Sequence, residues 1–225
     1  MNLDPRFCNY HKVALNELSK IDASGKRPSL LLHVCCGPCS CFPLLFLCPH
    51  LDVTIYYSNS NIYPEAEYHK RLNELKRFLA FVKNDYGYDI PLIEMPYDNE
   101  SYMKHLTPFG PEPEGGERCF TCYALRMKEA YDYAEANGFD YFTTVMTISR
   151  QKNAEKLNEI GMSLSRDHPH TKYFYSDFKK GRGEEEGIRI AKGYALYRQC
   201  YCGCVYSYED MLRRDALKAV TTDKK

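Results

Sequence analysis

Cysteine spacing constrains this chain more than any other feature of its sequence. Eleven cysteines occur among the 225 residues, and most of them fall into three short segments, 35–39, 119–122 and 200–204. Cysteines that serve packing alone would be scattered through apolar stretches instead of gathered in short clusters. Close cysteine spacing is typical of metal sites and of redox chemistry. We assign the cysteines outside the segments to packing: Cys8, Cys41 and Cys48.

A disulfide framework is the alternative interpretation of these cysteines. Such frameworks belong to oxidising compartments and mostly to small domains, whereas a chain of this length buries about 70% of its unfolded surface without them. Residues 1–12 are polar and charged, where a secretory signal would need an apolar run. The apolar stretch 30–51 is interrupted by histidine, glycine and proline, which argues against a membrane span. We therefore expect a cytoplasmic protein with reduced thiols.

The overall charge of the chain predicts no particular partner. Thirty basic and thirty acidic residues give a formal net charge of zero, so the composition indicates neither nucleic acid nor an anionic membrane. A basic segment at 179–182 suits contact with phosphates and is equally typical of a solvated surface. The 20 tyrosines offer faces for stacking on bases, although most tyrosines serve packing.

Short apolar or β-branched runs alternate with longer segments of helical periodicity. This alternation predicts a single α/β domain with a parallel sheet and crossover helices. Two of the helices are expected at 64–84 and 119–137. The predicted strands are 29–34, 53–58, 90–95, 141–145 and 173–175.

Three parts of the chain follow from this pattern. We expect an α/β metal-binding catalytic domain over residues 29–206, with no composition shift or repeat that would mark a second domain. Residues 1–28 are predicted to form a helical N-terminal extension. Residues 207–225 are predicted to form a C-terminal helix and tail.

The predicted order of elements brings two cysteine segments to one edge of the sheet. Residues 35–39 directly follow the first strand and precede an apolar helix around 42–47, which places them at the carboxyl edge. Ligand sites of open α/β sheets lie at this edge. Cys119 and Cys122 come at the start of a helix, where backbone N–H groups favour thiolate over thiol.

Four of these cysteines complete the ligand set of a metal site. Cys35, Cys36, Cys119 and Cys122 supply four thiolates, the number required by a tetrahedral zinc or by a [4Fe–4S] cluster. Adjacent cysteines point apart, which suits two irons of a cubane better than two corners of one zinc tetrahedron. The pattern therefore favours iron–sulfur. A thioredoxin-like dithiol at Cys119 and Cys122 would leave the first segment without a role.

The third segment predicts a different chemistry. A disulfide between Cys202 and Cys204 would close a small strained ring that is easily reduced, as an electron relay requires. The same thiols could bind a second mononuclear metal, iron or zinc, or could be buried structural thiols. Further candidates for the second metal or the redox pair are Cys39, Cys200 and Asp177.

Five motifs occur in a recognisable order along the chain. They are 31–40 (LLHVCCGPCS), 61–64 (NIYP), 117–123 (ERCFTCY), 149–153 (SRQKN) and 197–204 (YRQCYCGC). With these motifs the chain resembles the QueH family of epoxyqueuosine reductases from about residue 30 to 207. Five ordered motifs are far more specific than any one of them.

The resemblance implies reduction of the epoxide in epoxyqueuosine, at the wobble position of tRNA, to the alkene of queuosine. It implies a cobalamin-independent enzyme that takes electrons from an external donor, on a fold like that of PP-loop ATPases and other HUP-type, Rossmann-like proteins. By the same resemblance, the four cysteines named above bind a [4Fe–4S] cluster, and Cys202 and Cys204 form the redox pair or bind a second metal. Cys200 departs from the family pattern, which has asparagine there, so the working pair among the three stays open.

Removal of an epoxide oxygen as water needs two electrons, two protons and a group that stabilises the oxygen as its bond to carbon breaks. The side chains near the motifs that can donate a proton are His33, Asp177 and Tyr197. His33 lies within a predicted strand, where histidine is more often a hydrogen-bonded core residue.

Five residues in or near the motifs are predicted to bind the substrate. Asn61 and Tyr63 suit holding or stacking on a flipped-out base, because RNA bases are recognised unstacked. Arg150, Lys152 and Arg198 suit contacts with phosphates. Helix-capping or surface roles explain each of these residues equally well when it is considered alone.

Two other functions fit parts of the pattern. An iron–sulfur tRNA-thiolation enzyme would carry a Ser-Gly-Gly-x-Asp-Ser phosphate loop after the first strand, but residues 35–40 are Cys-Cys-Gly-Pro-Cys-Ser. A zinc-stabilised RNA-binding module would use the thiols structurally and would lose its fold on chelation.

Overall fold

The computed structural model describes residues 9–110 and 112–222, so Cys8 lies outside the described residues. Its strands form one sheet in which every pair of neighbours is parallel. The prediction of an α/β domain with a parallel sheet is thereby confirmed. The strands are β1 (Ser29–His33), β2 (Asp52–Tyr57), β3 (Leu92–Glu94), β4 (Tyr141–Thr144) and β5 (Lys172–Tyr173).

Helices connect the strands and cover the two faces of the sheet. They are α1 (Tyr10–Ser24), α2 (Gly37–Leu47), α3 (Glu65–Tyr86), α4 (Asn99–Lys104), α5 (Glu117–Ala136), α6 (Ala154–Leu164), α7 (Gly183–Gly193) and α8 (Val205–Thr222). α2, α3 and α7 pack together, and α5 packs on α6. In the part of the chain that the structure describes, no helix is long and apolar enough to cross a membrane.

The outer strands are shorter than the sequence predicts. β3 and β5 cover three and two residues, although the predicted strands extend over 90–95 and 173–175. Both lie at the edges of the sheet, where only one neighbour supplies hydrogen bonds. α5 begins at Glu117, two residues earlier than predicted, so Cys119 and Cys122 lie in its first two turns.

β1 is the central strand, and four of its five residues are buried. The sheet order is β3-β2-β1-β4-β5, and Leu30, Leu31 and Leu32 are fully buried. Leu30 and Leu32 belong to one core cluster and Leu31 to the other, because successive side chains of a strand point to opposite faces. Burial of each leucine contributes about 1.5–3 kcal/mol, which anchors the strand that leads to Cys35.

The chain changes direction across the sheet at β1. β2 and β3 extend to one side of β1, whereas β4 and β5 extend to the other, so a crevice opens beyond the carboxyl ends of β1 and β4. α2 starts there at Gly37 and passes close to α3. A Cβ at Gly37 would lie 3.0 Å from the carbonyl oxygen of Glu74, so glycine permits this close approach.

α6 packs closely on the sheet at Gly161. A Cβ at Gly161 would overlap the ring of Tyr173 in β5. We expect Gly161→Ala to lower the free energy of unfolding by about 1–3 kcal/mol in urea titrations, because the ring must move in a packed core. The control is Gly193→Ala, which meets no atom within 4 Å and is expected to be neutral or slightly stabilising. Equal stability of the two variants would contradict this packing.

Candidate metal centre

The first cysteine group lies in the turn between β1 and α2. The sulfur atoms of Cys35, Cys36 and Cys39 all lie within 4.8 Å of one another. Cys36 has an extended backbone and stands at the N-cap position of α2 without a side-chain capping bond, and Cys39 follows in the first turn of that helix. The structure thus places Cys39, an open candidate in the sequence, beside the two cysteines predicted to bind metal.

The spacing of these sulfurs fits a metal ion. A tetrahedral site with metal–sulfur bonds of about 2.3 Å separates its sulfur ligands by about 3.8 Å. The Cys35 and Cys36 sulfurs are 3.9 Å apart. Thiolates are soft ligands that suit iron and zinc. The donor set and its spacing therefore support metal binding by this group. The expectation that the sulfurs of Cys35 and Cys36 point apart is wrong, because they lie at the spacing of two ligands of one tetrahedral metal ion.

The second cysteine pair lies on α5, outside this group. The Gly115 N–H donates to Cys119 Sγ over 3.3 Å, and the Tyr102 hydroxyl donates to Cys122 Sγ over 3.2 Å. Among the described residues, only the first group brings three or more such ligand atoms within 4.8 Å of one another. The joint ligand set of Cys35 and Cys36 with Cys119 and Cys122 therefore stays a prediction.

The thiols of the first group differ in how readily they ionise. Hydrogen bonds from the Cys36 and Cys39 thiols hold the pKa of Cys35 well below its ordinary value. The positive charges of Arg126 and Lys152 lower that pKa further. The shared hydrogen bond with Cys35 raises the pKa of Cys36 to about 12. Cys35 is thus the thiol of the group whose ionisation its neighbours favour.

Arg126 connects the two cysteine pairs electrostatically. It lies one turn after Cys122 on α5, is 3% exposed, and donates from Nη2 to Asn59 Oδ1 over 2.6 Å. Burial raises the pKa of Cys122 to about 11, and the Arg126 charge opposes this increase. The same charge stabilises the thiolate of Cys35. One buried guanidinium therefore acts on thiols that are 87 positions apart in the sequence (122 minus 35).

The third cysteine segment lies next to the first cysteine group, and both border one cavity. Lys152 Nζ lies 3.5 Å from Cys202 Sγ, and Cys204 Sγ lies 3.5 Å from Ser207 Oγ. Cys200 is exposed, and its sulfur lies 3.0 Å from Met211 Sδ. Every cysteine that the structure describes is a free thiol, including both members of the predicted redox pair. The role of that pair therefore stays a prediction.

Arg71 of α3 fixes the position of the third segment. Its side chain is 1% exposed and donates from Nε to Glu67 Oε1 over 2.8 Å. Nη1 donates to the Cys202 carbonyl over 2.9 Å, and Nη2 donates to the Tyr201 carbonyl over 3.3 Å. Gly203 has a φ of 139°, which favours glycine, and a Cβ there would lie 3.0 Å from Nη1. We call this arrangement the Arg71 clamp.

A cavity of about 370 Å³ opens where the first and third cysteine segments meet. It is lined by the sulfur-bearing residues Cys35, Cys39, Cys200 and Cys202, and by the cations Arg126 and Lys152. Four of the five predicted substrate residues also line it: Asn61, Arg150, Lys152 and Arg198.

The fifth predicted substrate residue, Tyr63, is not part of the cavity wall. It is 39% exposed, and its ring packs edge-on against Tyr208 with 5.7 Å between the ring centroids. Its backbone N–H donates to the Gly203 carbonyl over 2.7 Å, which ties it to the third cysteine segment.

None of the three predicted proton donors lines the cavity. His33 is fully buried between Thr144 Oγ1, at 2.9 Å, and Arg126 Nη2, at 3.4 Å. Burial and then the charge of Arg126 lower the pKa of His33 to about 3, so it is neutral at pH 7. The Tyr197 hydroxyl contacts Glu67, and Asp177 pairs with Lys179.

Sequence reasoning missed three residues of the site: Arg71, Arg126 and Gln199. Arg126 follows Cys122 by four positions, a helical spacing that places both side chains on one face. Arg71 follows Glu67 at the same spacing, next to the apolar face of α3. Gln199 lies inside the last motif. The helical spacings and the motif are visible in the sequence. The contacts of Arg71 with Cys202 and of Gln199 with Cys36 are not, because they join residues far apart in the chain.

A Rossmann-like sheet with a cysteine-lined cavity at its switch point defines a metal-binding α/β protein. The family model described as "Epoxyqueuosine reductase QueH" matches residues 30–210, and the chain belongs to this family. A Staphylococcus epidermidis protein is 40% identical over 201 residues, which cover 88% of this chain and 84% of the relative. A Streptococcus pyogenes protein is 38% identical over 208 residues, 92% of this chain and 81% of the relative. Both are named epoxyqueuosine reductase QueH. The predicted family resemblance is confirmed.

The Arg71 clamp gives a testable prediction. Arg71→Lys keeps the charge but loses the planar fork that bonds Glu67 and two carbonyls together. We expect the free energy of unfolding to fall by about 1–3 kcal/mol because buried carbonyls lose their donors. We also expect faster alkylation of Cys202 in the metal-free protein, measured by peptide mass spectrometry.

Arg77→Lys is the matched control for the clamp. Arg77 also lies on α3 and also bonds a carboxylate and two backbone carbonyls, Glu74, Tyr194 and Ala195, but its side chain is 40% exposed. We expect a smaller loss of stability and no change at Cys202. If the two variants matched in stability and in Cys202 alkylation, Arg71 would not position this segment.

Proposed function

We propose that this protein reduces epoxyqueuosine in tRNA to queuosine. The relatives that cover most of the chain are named for this reaction. The observation that carries the proposal is the cavity at the switch point of the sheet, which brings sulfurs of two cysteine segments together with buried cations. Because tRNA and reduced thiols occur together in the cytoplasm, we propose that the protein acts there.

The reaction balance defines what the site must supply. Loss of the epoxide oxygen as water consumes two electrons and two protons, and an external one-electron donor must provide the electrons. We propose that Cys35, Cys36, Cys119 and Cys122 hold a [4Fe–4S] cluster, which passes electrons singly when bound. Cys39 stays a candidate ligand of a second metal, iron or zinc, although its sulfur lies within 4.8 Å of the first two and so belongs to the same ligand group.

Lys152 is the residue that we propose to stabilise the departing oxygen. It lines the cavity, and its ammonium lies beside Cys202 Sγ. Burial lowers the pKa of Lys152, but the nearby sulfurs of Cys202 and Cys35 raise it more, so the side chain stays protonated at neutral pH. A fixed ammonium on the cavity wall stabilises negative charge on the oxygen as its bond to carbon breaks.

Residues at the mouth of the cavity suit the tRNA. Arg198 and Arg150 line the cavity, and Arg150 forms an ion pair with Glu184 there. Guanidinium groups at such a position contact phosphates and set the register of the RNA. The exposed ring of Tyr63 lies next to the third cysteine segment and offers a face to an unstacked base.

The reaction itself tests the proposal. The anaerobically purified, iron- and sulfide-reconstituted protein is incubated with epoxyqueuosine-containing tRNA and a low-potential reductant, and the nucleosides are analysed by mass spectrometry. We expect conversion to a nucleoside that lacks one oxygen. Intact epoxyqueuosine after many equivalents of reductant would contradict the proposal.

A cysteine variant tests the proposed cluster. We expect Cys119→Ala to lose iron and sulfide together, because removal of a ligand weakens metal binding by more than the roughly 10- to 100-fold that loss of an outer-shell partner costs. Iron, acid-labile sulfide and zinc are measured per chain. The control is Cys48→Ala, a buried thiol in the core cluster, which should keep the iron content.

If Cys119→Ala kept a full cluster, Cys119 would not be one of the cluster ligands. A colourless wild-type protein with stoichiometric zinc, unchanged by anaerobic reconstitution with iron and sulfide, would instead support the zinc-stabilised RNA-binding module.

A further inference from the structure

Three buried polar atoms on the cavity wall lack a hydrogen-bond partner among the described residues. They are Asn61 Oδ1, Gln199 Oε1 and Arg126 Nε. Asn61 is 2% exposed and Arg126 is 3% exposed. A buried polar atom without a partner costs about 1–3 kcal/mol, so natural proteins rarely leave one unpaired. Three such atoms around one cavity indicate a polar ligand.

The orientation of the Gln199 amide follows from its neighbour. Its Nε2 lies 3.2 Å from Cys36 Sγ. An amide nitrogen donates and a cysteine sulfur accepts, so this contact holds the nitrogen towards Cys36. The amide oxygen Oε1 is left without a partner, as an acceptor at the cavity.

The segment that carries Asn61 is held by hydrogen bonds of the residues that follow it. The Ile62 N–H donates to the Asn59 carbonyl over 2.9 Å, and the Tyr97 hydroxyl donates to the Ile62 carbonyl over 2.7 Å. The next residue, Tyr63, is tied to Gly203. The backbone around Asn61 is thus ordered, and a ligand that bonds to Asn61 need not order the segment first.

The two acceptors and one donor define the chemistry of the ligand. An amine would satisfy the two carbonyl oxygens but not Arg126, and a carbonyl would satisfy Arg126 alone. Hydroxyl groups donate and accept, so two hydroxyls supply the donors and the acceptor that the three atoms need. Epoxyqueuosine carries two hydroxyls on the ring that bears its epoxide.

We propose that Asn61 and Gln199 are specificity-determining residues that accept hydrogen bonds from the hydroxyls of the epoxide-bearing ring, with Arg126 donating to one of the same oxygens. This inference rests on the proposed function and deepens it. The arrangement orients the reactive ring between Cys35 and Cys202, and it distinguishes the modified nucleoside from guanosine, which has no such ring. Because Gln199 also bonds Cys36, it links substrate recognition to the cysteine that we propose as a cluster ligand.

The test compares the binding of two anticodon stem-loops, one with epoxyqueuosine and one with guanosine at the same position. Asn61→Leu and Gln199→Leu remove the acceptors, and leucine keeps the branched shape of asparagine. We expect each variant to bind the epoxyqueuosine loop about tenfold more weakly, the loss of one hydrogen bond, while affinity for the guanosine loop stays unchanged. Iron content and visible spectrum show whether the metal centre is intact in each variant.

Two further variants sharpen the comparison. Asn61→Asp keeps an acceptor oxygen and is expected to retain more of the preference than Asn61→Leu. Asn73 lies on the exposed face of α3, so Asn73→Leu is the control. This variant is expected to bind both loops as the wild type does.

The outcomes separate this inference from the proposed function. If the wild type prefers the epoxyqueuosine loop and both leucine variants keep that preference, the three atoms bind water alone and the inference is wrong. If the wild type binds the two loops alike and leaves epoxyqueuosine unreduced, the proposed function fails and the inference fails with it.

Discussion

Buried positive charge beside the cysteines is the constraint on which this site depends. Arg126 and Lys152 are almost fully buried, and neither forms an ion pair with a carboxylate in the part of the chain that the structure describes. A buried charge that lacks a partner is strongly destabilising, so anions must lie close by. The sulfurs of Cys35, Cys122 and Cys202 are the groups that interact with these cations. Hydrogen bonds from Cys36 and Cys39, and then these two charges, lower the pKa of Cys35 well below its ordinary value. The fold therefore favours a thiolate at Cys35, and the thiolate is the form of cysteine that binds metal.

The sheet explains why distant segments share these charges. β1 is held on both faces by buried leucines and ends at the crevice between β1 and β4, so the first cysteine group has a rigid base. α5 brings Cys122 and Arg126 to this crevice from the opposite face. The Arg71 clamp joins the third segment to α3, 131 positions earlier in the chain, and fixes Cys202 at the cavity. A rigid frame of this kind positions reacting groups without ordering them during the reaction.

The sequence predicted the parts of this arrangement that depend on local patterns. Alternating strands and helices gave the parallel sheet, and cysteine spacing indicated metal chemistry and led to the correct family. The edge strands β3 and β5 were predicted too long, because side-chain pattern does not show how many neighbours a strand has. The roles of Arg71 and Gln199 were missed because both depend on long-range contacts.

The predicted proton donors are the clearest failure of local pattern. Their side chains can donate a proton, but the packing of the fold leaves them outside the cavity wall: His33, Asp177 and Tyr197. No local pattern shows where packing places a side chain. The joint cysteine ligand set and the redox pair stay predictions.

The central claim is that cysteines from separate segments hold an iron–sulfur centre at the carboxyl edge of the sheet. X-ray absorption at the iron and zinc edges of the anaerobically purified protein tests it most directly. The account predicts iron in sulfur coordination with short iron–iron scattering, as sulfide-bridged irons give. Zinc in four-sulfur coordination without iron would contradict it.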